Sequence, residues 1–188
     1  MPNSNSADLK LFKKYLKKYK TTNRTSTLSH AFASALAMSE NYDETVLIER
    51  LLILGQEQNQ PLRCVFCQAE ARTIDHLNGL VENSRFTGHG HVIGNLVPCC
   101  ETCNTSKGSK PWRDFANSIG TPKEQIARIA EYESFAPKPM SEVDLKALYP
   151  DLMEAYERLR NLSHDLLRTA DNLANEIQRL ETKRLFSE

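Results

Sequence analysis

Long hydrophobic runs are missing from this chain. No apolar stretch approaches the roughly 18 residues that a membrane-spanning helix needs, so no span is expected. An apolar signal segment is also missing from the N-terminus, which argues against export and for a reducing interior such as the cytoplasm. Net charge is missing as well, since 24 Lys and Arg balance 24 Asp and Glu. That balance argues weakly against a nucleic-acid binder, but only on average. Cysteine is scarce and odd in number, five among 188 residues, which suits a disulfide framework poorly. What remains is ordinary for a soluble globular chain: 40% hydrophobic and 26% charged residues, enough for one or two small domains.

The charge is unevenly spread. Residues 1–24 hold seven bases (Lys10, Lys13, Lys14, Lys17, Lys18, Lys20, Arg24) against Asp8, whereas residues 141–188 carry ten acids and seven bases. Residues 7–20 pattern as a basic helix with Leu9, Leu11, Phe12, Tyr15, Leu16 and Tyr19 along an apolar side. Its basic face reads equally as a solvated surface or as an arm contacting phosphates through Lys13, Lys14 and Lys17. Helices are expected near 27–39 and 43–56, the second N-capped by Asp43 and stopped near Gly55. Residues 61–110 change character. They hold five of the seven glycines, all the cysteines and short β-branched runs, so short strands and loops are expected there. After Pro111 the helical pattern returns at 111–118, 122–134, 141–148 and about 150–185, with no internal repeat.

The cysteines are paired. Residues 64–67 read CVFC and residues 99–103 read CCETC, giving Cys64-x-x-Cys67 and Cys100-x-x-Cys103 with 32 residues between them. Each C-x-x-C can bring two thiolates to one ion, and four thiolates suit a closed, tetrahedral zinc site. Cys99 is then left over and reads as a small buried residue behind the second pair. Between the pairs lies TIDHLNGL, with Asp75 and His76 adjacent after a short strand signal. A carboxylate is a hard ligand for Mg²⁺ or Mn²⁺. A neutral imidazole can take a proton from water near neutral pH. Adjacent strand residues point to opposite sides, so the two can cooperate only where the strand ends and the chain bends back.

Taken together, Cys64-Val-Phe-Cys67, Ile-Asp75-His76, Gly-Asn95-Leu-Val-Pro and Cys100-Glu-Thr-Cys103-Asn104-Thr-Ser-Lys107-Gly resemble the HNH, or ββα-metal, nuclease family over about residues 61–112. The pattern is most similar to the four-cysteine variant whose last motif residue is Asn. That variant occurs in phage junction-resolving endonucleases, several type II restriction enzymes and the HNH domain of RNA-guided nucleases. The resemblance implies that Asp75 and Asn104 ligate a catalytic metal, His76 is the general base, and Asn95 holds the motif loop. It also implies structural zinc on Cys64, Cys67, Cys100 and Cys103. An amide ligand at Asn104 leans the catalytic ion toward Mg²⁺ or Mn²⁺. The 18 residues between His76 and Asn95 form a long insert for the motif, holding Arg85 and the GHGH run with His89 and His91. That run reads as a polar loop, with metal or DNA contact as the alternative.

The expected protein is therefore α+β, a small treble-clef-like ββα core with one zinc and helices on both sides. Its expected regions are a helical N-terminus at 1–60, a nuclease core at 61–112 and a helical C-terminus at 113–188. Its expected activity is metal-dependent cleavage of DNA to 5′-phosphate and 3′-hydroxyl ends, as a restriction, phage or mobile-element enzyme. The alternatives are a junction-resolving nuclease and a non-catalytic zinc-finger module. Lys107, Lys110 and Arg85 are the expected DNA contacts of the core. Leu152, Tyr156, Leu159, Ser163, Leu166, Ala170, Leu173, Ile177 and Leu180 alternate by four and three. Such a seam packs on the chain's own helices or forms a homodimer.

Overall fold

The computed structural model describes residues 19–83 and 85–185. The basic helix expected at 7–20, with Lys13, Lys14 and Lys17, lies almost wholly outside them. The described chain contains seven α-helices and two two-stranded antiparallel sheets, a mixed α+β architecture. It clusters into two compact units, one of residues 29–153 and one drawn from 1–28 and 154–188. No helix among the described residues is long and apolar enough to cross a membrane.

In the first unit, α1 (Thr27–Leu36, which starts at the unit's edge) and α2 (Glu44–Ile53) precede the cysteine region. The carboxylate of Asp43 accepts the amides of Thr45 and Val46 at 3.0 and 3.1 Å, satisfying two of α2's orphan donors. The helix stops where Gly55 turns to φ +78°. Then come β1 (Thr73–His76), β2 (Val81–Glu82), β3 (Arg85–Phe86) and β4 (Leu96–Cys99). β1 pairs with β4 in antiparallel register, from Thr73 opposite Cys99 to His76 opposite Leu96. Four helices follow: α3 (Glu101–Lys107), α4 (Trp112–Ser118), α5 (Lys123–Glu133) and α6 (Glu142–Leu148).

The boundaries expected at residues 60 and 112 do not separate compact units. Leu54 from the end of α2, Trp112, Phe115 and Ala116 from α4, and Ile129 and Tyr132 from α5 share one buried cluster with Val65, Phe66, Val97 and Cys99. So small a sheet has too little apolar face to bury alone, and the flanking helices complete its core.

In the second unit, α7 (Pro150–Leu185) is 36 residues long. Ion pairs at i,i+3 and i,i+4 line it, among them Arg158–Glu154, Arg168–Asp165 and Arg184–Glu181. Residues 21–25 lie against it: Asp171 accepts the amide and hydroxyl of both Thr21 and Thr22 at 2.6–3.1 Å. Leu159, Leu166, Leu173, Ile177 and Leu180 of the predicted seam are exposed.

Candidate active site and metal centre

The metal centre follows from two tight turns. After Cys64 the chain bends through Gln68 at φ +62°. The amide of Gln68 bonds the Cys64 carbonyl at 2.9 Å and the Cys64 amide bonds Ala69 O at 2.7 Å. This turn carries Cys64 and Cys67. It is tied to β4 by Val65 N donating to Pro98 O at 3.1 Å. The second turn is the start of α3, where Cys100 is the N-cap and its sulfur accepts from the Cys103 amide at 3.4 Å. The four sulfurs of Cys64, Cys67, Cys100 and Cys103 lie within 4.8 Å of one another. Cys67 Sγ and Cys100 Sγ are 3.7 Å apart. A tetrahedron with Zn–S bonds of about 2.3 Å has edges of about 3.8 Å, so the four residues fit one structural zinc. All five cysteines are free thiols. The hydrogen bond with Cys99, outweighing burial, lowers the Cys64 thiol to about 4, while burial raises Cys103 and Cys67. Cys99 is fully buried on β4, its sulfur 3.9 Å from that of Cys64.

Two elements meet beside this centre. Asp75 and His76 end β1, and Asn104 and Lys107 lie one turn apart on α3. Asn104 Nδ2 donates to Thr73 Oγ1 at 3.1 Å, which leaves its carbonyl oxygen available as a hard donor. Lys107 is 2% exposed. Its ammonium donates to the His76 carbonyl at 2.7 Å and lies 3.1 Å from Asp75 Oδ2. The structure thus places Lys107 inside the site as Asp75's countercharge, not on an open DNA-facing surface. Asp75 Oδ1 accepts the His76 amide at 2.8 Å. Asp75 Oδ2 is buried and accepts no hydrogen bond among the described residues. A buried carboxylate oxygen with only an ion-pair partner suits a hard divalent cation.

His76 is half-buried. Burial, then the neighbouring His91 and Lys107, lower its pKa, against the opposing pull of Asp75. Its Nε2 lies 3.0 Å from Nδ1 of His91, and its Nδ1 has no hydrogen-bond partner among the described residues. Asn95 is 1% exposed and works as a clamp. Its Oδ1 accepts the Asn78 amide at 2.9 Å, and its Nδ2 donates to Asn78 O at 3.1 Å and Gly90 O at 2.9 Å. Both ends of the insert between β1 and β4 are thereby fixed. Glu133 on α5 braces the same loop, accepting from Asn78 Nδ2 at 2.8 Å and from the Trp112 indole at 3.1 Å.

A cleft of about 460 Å³ opens next to the site, lined by Asn78, Arg85, His89 and Lys110 among others. Arg85 and Lys110 therefore share one depression. Arg85 is steadied at 3.9 Å by Glu142, a buried carboxylate that also pairs with Lys146 at 2.9 Å. Burial lowers the pKa of His89, opposed by Glu133. Sequence reasoning missed Thr73, Asn78, Glu133 and the His76–His91 contact. Only the last had a signal, the GHGH run itself.

The chain is 35% identical over 82 residues to a CRISPR-associated endonuclease Cas9 of Actinomyces naeslundii. The match covers 42% of this chain and only 7% of that protein. No model of a protein family matches the chain, and no solved structure matches it.

Proposed function

We propose that this chain is a metal-dependent DNA endonuclease of the HNH type. The observation that carries the proposal is the meeting of β1 and α3, where Lys107 reaches Asp75 and the His76 carbonyl and Asn104 bonds Thr73, with the four-cysteine cluster at the start of α3. The partial likeness to a protein described as an endonuclease supports it. Asp75 Oδ2 and the side-chain amide oxygen of Asn104 would hold Mg²⁺ or Mn²⁺. When bound, the ion neutralises charge on the scissile phosphate and on the departing 3′ oxygen. His76 takes the proton from a water whose oxygen bonds to phosphorus as the P–O3′ bond breaks, and the departing 3′ oxygen takes a proton from solvent, leaving 5′-phosphate and 3′-hydroxyl ends. Asn95 keeps the loop from displacing His76. Zinc on Cys64, Cys67, Cys100 and Cys103 fixes the start of α3, and Asn104 follows Cys103 directly, so the structural ion orients a ligand of the catalytic one. Lys107 balances Asp75 and resists its displacement.

DNA is the partner, held through its phosphates by Arg85 and Lys110 at the cleft and by Lys13, Lys14 and Lys17 of the N-terminal segment. The exposed Leu159, Leu166, Leu173, Ile177 and Leu180 of α7 serve homodimerisation, which brings two single-strand sites to one duplex. Free cysteines and a zinc thiolate centre suit the cytoplasm. The test is incubation with supercoiled, linear and four-way-branched DNA plus Mg²⁺, with mapping of the ends. Fixed ends identify a sequence-specific enzyme, cleavage of branched DNA alone a resolvase. Zinc-dependent binding without cleavage would reject the enzyme in favour of a binding module.

A further inference from the structure

The GHGH run, residues 88–91, is built more tightly than a polar loop requires. Gly88 has φ +89°, and a Cβ there would lie 2.3 Å from the Met140 carbonyl oxygen. A Cβ at Gly90 would lie 2.4 Å from Met38 O. Both glycines therefore serve close backbone approach. The next residue is pinned on several sides. His91 N donates to Met38 O at 2.7 Å, and residues 39 and 91 form a parallel bridge. Asn95 Nδ2 holds Gly90 O at 2.9 Å, and Ile93 N donates to Glu40 Oε2 at 2.9 Å. The result is one placed side chain. The His91 ring meets that of His76 edge-on, with centroids 5.0 Å apart, an interplanar angle of 61° and 3.0 Å between His76 Nε2 and His91 Nδ1. Among the described residues only the four cysteines gather three or more Cys, His, Asp or Glu donors about one point. His89 lines the cleft instead.

We propose that His91 is the positioning residue of His76: its Nδ1 accepts a hydrogen bond from His76 Nε2–H, which fixes the ring and leaves the His76 Nδ1 lone pair free to take a proton from water. A neutral imidazole has one N–H and one lone pair, and the partner of one nitrogen decides which the other presents. His91 then carries its own proton on Nε2. Asn95, by holding Gly90, sets His91 as well as the loop. The inference rests on the nuclease reading for its purpose, but not for its geometry.

The experiment combines long-range ¹H–¹⁵N spectra of the histidine rings with plasmid-nicking kinetics for the wild type, His76→Ala, His91→Ala and His91→Asn, each checked for zinc content and melting. Asn sets an acceptor where Nδ1 lay. The wild type is expected to show His76 protonated on Nε2, and His91→Ala to lose that preference. His91→Ala should lower kcat about 10–100-fold with KM unchanged, and His91→Asn should recover most of the loss. A wild-type His76 protonated on Nδ1 overturns the proposal, as does an unchanged kcat in His91→Ala. So does a His91→Ala as inactive as His76→Ala with no recovery by Asn, since His91 would then take part in the chemistry. Should the wild type not cut DNA, the nuclease reading falls while the spectra still decide the proposal.

Discussion

Lys107→Met isolates the electrostatics of the site. The substitution keeps the length of a side chain that is 2% exposed but removes the charge 3.1 Å from Asp75 Oδ2, whose side chain is 14% exposed. At an effective dielectric constant of about 20, two unit charges at that separation attract by about 5 kcal/mol. Relief of the buried ammonium's desolvation offsets part of this, and removing one partner of a buried pair costs about 3–5 kcal/mol in practice. Asp75 retains some access to water, so the lower end, about 3 kcal/mol, applies. For a unit of residues 29–153 that is a fall in Tm of about 12 °C, at about 4 °C per kcal/mol. The decisive part is the response to metal. A divalent ion on Asp75 replaces the lost countercharge, so Mg²⁺ should raise the melt of Lys107→Met more than that of the wild type. The assay is scanning calorimetry in magnesium-free buffer, without chelator so that zinc is retained, followed by titration with Mg²⁺. A variant melting within about 2 °C of the wild type, an interval below the roughly 4 °C expected per kcal/mol, would refute the buried pair. An equal Mg²⁺ response in both proteins would refute Asp75 as the metal's ligand.

Three other outcomes follow from the same structure. Cys67→Ser or Cys103→Ser should abolish the cooperative melt of the first unit, because structural zinc contributes about 10–16 kcal/mol against a total stability of about 5–15; metal analysis of the wild type should find about one zinc per chain, and a metal-free wild type with an intact melt would contradict this. Asp171 has its pKa lowered to about 2, burial being outweighed by hydrogen bonds from Thr22 and Thr21. Its stabilising bonds are therefore complete above the unfolded value of 3.8 and are lost as pH falls through about 2; the amide shifts of Thr21 and Thr22 should titrate there, and a midpoint at the unfolded value would disprove the tie. The double variant Leu166→Asp, Leu173→Asp should convert a dimer into a folded monomer by light scattering, whereas a wild type already monomeric at micromolar concentration would rule out the seam as an interface.

The helices and the metal centre were legible because their signals are local. A 3.6-residue apolar period, a capping Asp43 and paired C-x-x-C spacings each act within a few residues, and α4 to α7 fall within a residue or two of expectation. The α+β class followed from the change of character at residues 61–110. Contacts between distant segments were not legible. Nothing in the sequence says that α2, α4 and α5 complete the core of so small a sheet. Lys107 lies on the motif helix, whose pattern predicts that it faces phosphate. Its burial depends on the distance between α3 and the end of β1, which the spacing of Asn104 and Lys107 cannot supply. His91 lies 15 residues from His76, and contacts from distant segments, the backbone crossing at Met38 among them, bring the rings together. Glu133, 55 residues from Asn78, carries no local signal at all.

The central claim is that His76 activates water beside a metal held by Asp75 and Asn104. Nicking of supercoiled plasmid by the wild type and by His76→Ala, in Mg²⁺ and in its absence, tests it most directly, with zinc content and melting measured on the same samples. The account predicts Mg²⁺-dependent nicking by the wild type. In His76→Ala it predicts a rate lower by about 10²–10⁴-fold, with zinc and melt unchanged. A folded, zinc-loaded wild type that leaves DNA intact, or a His76→Ala that nicks at nearly the wild-type rate, would contradict it.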